Sequence, residues 1–304
     1  MNLNFRRAFF VPLLVALFAS CDPPCQPPPD PGTFIDALGR RYAQDDPPAR
    51  IVSLVPAVTE ILFAIGAGDR LVGVTRYCDY PPAASQLAFV GGFSGITVSV
   101  EQIRALNPDL VILSADMHAR LVLLLDNLGI PSFAVEPRNF SEVYETIALL
   151  GELCGAAEEA EHVVAAMKEN ITRVQDRLRD RPQAAVFWVL AEDPLMTAGG
   201  ETFVSEAIAL AGGRNIFADV REQWPIVSAE QVLMRRPDWV LAGSGMAVAV
   251  ADDAPALRNP LWQNIAAVRE GRVAFVDGDL LYRYGPRLAE AVAMIAHIIH
   301  EDLW

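Results

Sequence analysis

Histidine is scarce in this 304-residue chain, with four: His118, His162, His297 and His300. None stands in a Gly-x-Ser-x-Gly or Cys-His arrangement, which leaves a hydrolase without its paired nucleophile and base. A zinc or manganese site would need several histidines and carboxylates converging from separate segments. His297 and His300, one helical turn apart near the C-terminus, read instead as packing or surface residues, so no metal site is assigned. A disulfide framework is not needed at this length, and there are only four cysteines. Basic charge is also short. The chain has 24 Lys and Arg against 38 Asp and Glu, a net charge of -14, which argues against a nucleic-acid phosphate backbone as partner. The apolar run from Ala8 to Ala19 is too short to span a bilayer. What is present is a composition 52% hydrophobic, enough to bury one large domain or two small ones.

The chain starts "MNLNFRRAFFVPLLVALFASC". Arg6 and Arg7 form a positive n-region, the apolar stretch follows, and small residues precede Cys21. Residues 1–21 resemble a lipoprotein signal in which Cys21 becomes the lipidated first residue; an ordinary cleaved signal peptide is the alternative. Both readings export the protein to the periplasmic side of the envelope, lipid-anchored in the first and soluble in the second. "DPPCQPPPDPG" follows, and so many prolines favour an extended, semi-stiff spacer. Residues 22–48 are therefore expected to be a proline-rich linker. Once Cys21 is lipidated, Cys25, Cys78 and Cys154 remain. An odd number leaves at least one free or paired between chains.

The body opens with "RIVSLVPAVTEILFAIGAGDRLVGVT", read as a buried strand (Ile51 to Val55), a helix, and a second strand (Leu71 to Val74). Thr59 or a neighbour is expected to cap that helix, and Gly66 and Gly68 to end it. Strands and helices alternate in this way to Val135, the pattern of an α/β layer with a mostly parallel sheet. The same plan then recurs. Residues 99–112 read "SVEQIRALNPDLVI" and residues 228–241 read "SAEQVLMRRPDWVL". Ser99 and Ser228 are expected N-caps with Gln102 and Gln231 at capping-box spacing, and Pro108 and Pro237 stop each helix before a strand. Glu101 and Glu230 fall in the first turn, where the helix dipole favours a carboxylate. Between the copies, residues 156–180 contain neither Gly nor Pro and carry one apolar stripe, Val163, Val164, Met167, Ile171, Val174 and Leu178. As a helix this segment reaches about 37 Å. The expected fold is thus two similar α/β lobes with mostly parallel sheets, 49–155 and 181–304, joined by one long rigid helix.

Two repeated lobes on a helical strut, with these particular stretches, resemble the solute-binding proteins of ABC importers for siderophores, haem and cobalamin. The stretches include "GVTRYCDYPP", "NIFADVREQWPIVSAEQVL" and "VDGDLLYRYGPRLAEAV"; the Tyr-x-Asp-Tyr-Pro-Pro run and the Trp-Pro pair are most similar to cobalamin-binding members. The resemblance implies a binder rather than an enzyme, with no catalytic cofactor, carrying cobalamin or another corrinoid to a permease dimer with its ATPase subunits. Haem or an Fe(III)-siderophore is the alternative ligand. It further implies that Tyr77, Phe93, Trp224 and Asp279 face the ligand, and that Glu101 and Glu230 meet arginines on the permease. Two positions depart from the cobalamin-binding pattern. Ser114 stands where a tryptophan is expected, and Met196 aligns with a phenylalanine.

Overall fold

The computed structural model describes residues 32–92, 94–244 and 262–303. A short antiparallel hairpin comes first, β1 (Thr33–Ile35) against β2 (Arg41–Ala43). The first lobe then runs β3 (Ile51–Ser53), α1 (Pro56–Ala64), β4 (Leu71–Val74), β5 (Ala88–Phe89), α2 (Val100–Ala105), β6 (Leu110–Ser114), α3 (Ala119–Asn127), β7 (Ser132–Val135) and α4 (Phe140–Leu153). Its five strands are all parallel, in the order β5-β4-β3-β6-β7. A single helix, α5 (Ala157–Leu178), leads onward. The second lobe contains β8 (Ala184–Val189), a tight hairpin of β9 (Ala191–Glu192) and β10 (Leu195–Met196), then α6 (Phe203–Leu210), β11 (Gly213–Asn215) and α7 (Ala229–Arg235). It closes with β12 (Trp239–Ser244), α8 (Ala266–Arg269), β13 (Val273–Asp277), α9 (Gly278–Tyr282) and α10 (Leu288–Ile299). Four of its strands form a parallel sheet, β11-β8-β12-β13.

Both sheets are covered on both faces, so their central strands are apolar up to the serines that end β3, β6 and β12 rather than alternating with polar residues. The two-residue period of a strand then sends neighbouring side chains into different cores. On β8, Val186 and Trp188 point one way while Ala185, Phe187 and Val189 point the other. On β3, Ile51 and Val52 separate likewise. The inner core is continuous across the molecule. It runs from Ile51 and Phe133 through Met167, Ile171 and Val174 of α5 to Trp188 and Ile295. Both lobes and α5 belong to one compact unit.

The repeat survives in local detail. Ser99 Oγ accepts from the Gln102 N–H at 3.2 Å, and Ser228 Oγ from the Gln231 N–H at 3.3 Å. In the second copy the box closes, because the Ser228 N–H donates to Gln231 Oε1 at 2.8 Å. Each helix then leaves through a left-handed residue just before its proline, Asn107 at φ 45° and Arg236 at φ 48°. In α5, Met167, Ile171, Val174 and Leu178 are buried, while Val163 and Val164 are half-buried.

Two expectations are corrected. Thr59 does not cap α1: Val55 is the N-cap with Pro56 next, and Thr59 lies inside the helix, donating to Ser53 Oγ at 2.9 Å. Gly66 does end the helix, at φ +75°, a left-handed backbone conformation that residues with a side chain rarely adopt. The linker reading fails over residues 33–43, which form the β1–β2 hairpin. That hairpin covers the exposed edge of β7: the Ala37 N–H donates to Ala134 O at 2.9 Å, Asp36 Oδ2 accepts from the Ala134 N–H at 3.2 Å, and Arg40 donates to Ser132 O at 3.0 Å. Tyr42 packs edge-on to Phe133 at 6.1 Å. An edge strand with unpaired amides gains from such a cover, and the chain preceding the lobe provides it.

Candidate functional site

In parallel sheets of this kind, groups at the carboxyl ends of the strands converge where the loops part. Here the first lobe contributes Leu54 to Ala57 after β3, Tyr77 after β4, Ser114, Met117 and His118 around the end of β6, and Glu136 after β7. The second lobe contributes Trp224, Asp279, Tyr282, Arg283 and Tyr284. Together they enclose a cavity of about 490 Å³ between the lobes. A second cavity of about 360 Å³ shares Glu136, Trp224, Tyr282 and Tyr284 with the first and extends to Asp116, Arg138, Glu201 and Phe203. Both are of a size that takes part of a large ligand.

Tyr77, Trp224 and Asp279, singled out in the sequence, meet on the wall of the larger cavity. Phe93 and Cys21 lie outside the described residues, as does Cys25. Met196 pairs with Ala191 in its hairpin and lines neither cavity. Ser114 does line the cavity, and in a polar role: its Oγ donates to Glu136 Oε2 at 2.6 Å, and the Asp116 N–H donates to the same oxygen at 3.2 Å. Cys78 is buried beside Thr75 Oγ1 at 3.3 Å, and burial raises its thiol pKa, the reverse of what a nucleophile needs. Cys154 is likewise buried and free, pushed up by burial to about 11. Glu101 and Glu230 are exposed, each on the first turn of its capped helix. The Glu101 carboxyl is held low by its own backbone N–H and by Ser99, and that of Glu230 by Ser228 and its own N–H.

The sequence reading missed Tyr282, Arg283 and Tyr284, the last residue of α9 and the two that follow it. Trp224 meets Tyr282 edge-on at 6.3 Å, and Trp188 Nε1–H donates to the Tyr282 hydroxyl at 3.2 Å. Tyr284 stacks on Phe203 with ring centroids 6.0 Å apart. Burial raises both phenols, with Glu136 and Asp116 adding to the effect at Tyr284, so both remain neutral at physiological pH. The aromatic-Arg-aromatic alternation was the available signal.

Arg283 also ties the lobes together. It donates to Asp79 of the first lobe at 2.6 Å, to Asp279 at 2.9 Å and to Glu60 of α1 at 3.4 Å. One turn on, Arg287 donates twice to Glu60, at 2.8 and 2.6 Å, and lies over the Tyr80 ring at 3.9 Å. On another side, Glu206 of α6 accepts from the Phe140 N–H at the start of α4, 3.0 Å away. His118 is buried and its Nδ1 accepts from the Ser114 N–H at 3.1 Å, which puts the proton of the neutral ring on Nε2. The arrangement offers aromatic faces and paired charges.

Comparison with known proteins agrees with this architecture. A family model described as periplasmic binding protein matches residues 51–280. The uncharacterized ABC transporter substrate-binding lipoprotein YvrC of Bacillus subtilis is 32% identical over 280 residues, 90% of this chain and 86% of its own. Among solved structures, the periplasmic vitamin B12 binding protein BtuF of Vibrio cholerae superposes with a TM-score of 0.70 at 30% identity, covering 84% of this chain and 98% of that one. The periplasmic heme-binding protein RhuT of Roseiflexus gives 0.73 at 28% identity, over 84% and 99%. With the two-lobe fold and the interlobe cavity, these matches establish that the chain belongs to the periplasmic binding protein family, the substrate-binding proteins of ABC transporters.

Proposed function

We propose that the protein captures cobalamin or a related corrinoid between its lobes and delivers it to an ABC permease, held at the membrane by a lipid on Cys21. The observation that carries this is the convergence of Tyr77, Trp224 and Tyr282 from both lobes on one cavity. A flat macrocycle is held well by aromatic faces with a few polar groups among them. The similarity to BtuF supports a corrinoid. Glu101 and Glu230, exposed at matching places in the two repeats, are assigned to docking. A two-fold permease would meet them with paired guanidinium hydrogen bonds.

Haem is the second reading, favoured by the Tyr77 phenol on the cavity wall, which is a competent iron ligand. His118 does not strengthen it. An imidazole that accepts at Nδ1 carries its proton on Nε2 and has no lone pair there for a metal. Titration of the purified protein with cyanocobalamin and with haemin, followed by absorbance and tryptophan fluorescence, separates the two. Quenching and a spectral change with cyanocobalamin are expected. A shifted Soret band with haemin and no response to cyanocobalamin would overturn the corrinoid reading.

A further inference from the structure

We propose that the cleft selects its ligand by charge: it takes a macrocycle whose rim bears neutral carboxamides and rejects the same ring bearing carboxylates. The inference rests on the corrinoid reading and narrows it to a chemical class.

The walls of the two cavities are rich in hydrogen-bond acceptors that carry negative charge. Glu136 stands on the boundary between them, Asp279 faces the larger, and Asp116 and Glu201 face the smaller. Glu136 is fixed in place, because Ser114 Oγ–H and the Asp116 N–H both donate to one of its oxygens. Amide N–H groups on a ligand rim complement such acceptors, whereas carboxylates brought against them are repelled, and the repulsion grows as water leaves the cleft.

Among the described residues, cations that could reverse this are few, and the buried one is already engaged. The chain contains a single lysine, Lys168, and it lies on α5 over the Tyr144 ring at 4.9 Å. Among the described residues lining the cavities there are two arginines, Arg283 and Arg138. Arg283 is buried and shared by Asp79, Asp279 and Glu60, so a ligand carboxylate would have to displace a protein carboxylate to reach it. Arg138 is exposed at the rim of the smaller cavity, where water screens it. A carboxylate-bearing ligand therefore enters acidic walls whose one buried cation among the described residues, Arg283, is already shared by protein carboxylates.

The test compares dicyanocobinamide with dicyanocobyrinic acid, in which the amide arms of the same corrin ring are carboxylic acids, at pH 7.5 and by calorimetry on the full chain. The acid is expected to bind at least tenfold more weakly. Glu136→Gln, whose amide oxygen can still accept from Ser114 and Asp116, is expected to narrow that ratio at least threefold by strengthening binding of the acid. Equal affinity of the two rings for the wild-type protein overturns the inference while leaving the corrinoid reading intact. A Glu136→Gln variant that is folded by circular dichroism yet leaves the ratio unchanged also overturns it. Failure of both rings to bind sinks the corrinoid reading, and this one with it.

Discussion

Replacing Glu60 by alanine removes the carboxylate on which two arginines of the other lobe converge. The Glu60 side chain is 2% exposed, against 8% for Arg283 and 15% for Arg287. Arg283 keeps Asp79 and Asp279 in the variant, so it is not orphaned. Arg287 loses both donated bonds and keeps the Tyr80 ring beneath it and the unbonded charges of Asp277 and Asp279. Removing one member of a buried ion pair costs about 3–5 kcal/mol, chiefly through the charge left behind. Because the stranded guanidinium is partly exposed, the lower end applies, about 3 kcal/mol. For a domain of this size each kcal/mol shifts Tm by roughly 2–4 °C, so Glu60→Ala should melt roughly 6–12 °C below wild type. Thermal and guanidinium unfolding at pH 7, with and without about 0.5 M NaCl, measure this; a buried pair should be nearly insensitive to salt. A loss under about 1 kcal/mol, or one abolished by salt, would falsify the assignment of this cluster as the pin between the lobes.

Further outcomes are expected. Trp224→Ala should weaken corrinoid binding by roughly 1–3 kcal/mol, about 5- to 150-fold in Kd, and unchanged affinity in a fluorescence titration would exclude Trp224 from the contact. Glu101→Lys combined with Glu230→Lys should abolish cellular uptake while leaving the affinity of the purified protein intact; if transport persists, the two carboxylates are helix-end charges only. Burial raises the Glu206 carboxyl although the Phe140 N–H donates to it, so its ionisation opposes folding. Its stabilising share is complete below the unfolded carboxylate value and is lost as pH rises through the raised folded one. Glu206→Gln keeps an acceptor for Phe140 and should flatten that part of the stability profile, with stability at pH 7 no lower than wild type; a drop would show that the charge itself is needed. Small-angle scattering profiles with and without ligand should nearly superimpose, and marked compaction on binding would refute a fixed frame.

What could be read from the sequence was what depends on neighbours along the chain. Ser99 with Gln102 and Ser228 with Gln231 are three apart, and their hydrogen bonds follow from spacing alone. The apolar stripe of α5 and the glycine-terminated α1 are local in the same sense. The β1–β2 hairpin was hidden because its partner, β7, lies far along the chain and the prolines before it dominate the composition. The clamp of Glu60 with Arg283 and Arg287 joins positions more than two hundred residues apart, and no periodicity marks it. Tyr282 and Tyr284 stood in a stretch that drew notice, but only the fold turns them toward Trp224 and Phe203.

The unbroken core through α5 has a consequence for traffic at the membrane. A frame held fixed in this way would present the same outline whether loaded or unloaded, so a permease docking as proposed on Glu101 and Glu230 would have no shape difference by which to tell the two apart. Unloaded copies would then occupy docking sites as readily as loaded ones. Scarce cargo would be imported fastest at an intermediate copy number, where carriers are numerous enough to collect it but too few to crowd the gate. Discrimination would then have to come from the cargo itself, through whatever part of it stands proud of the cleft and touches the transporter.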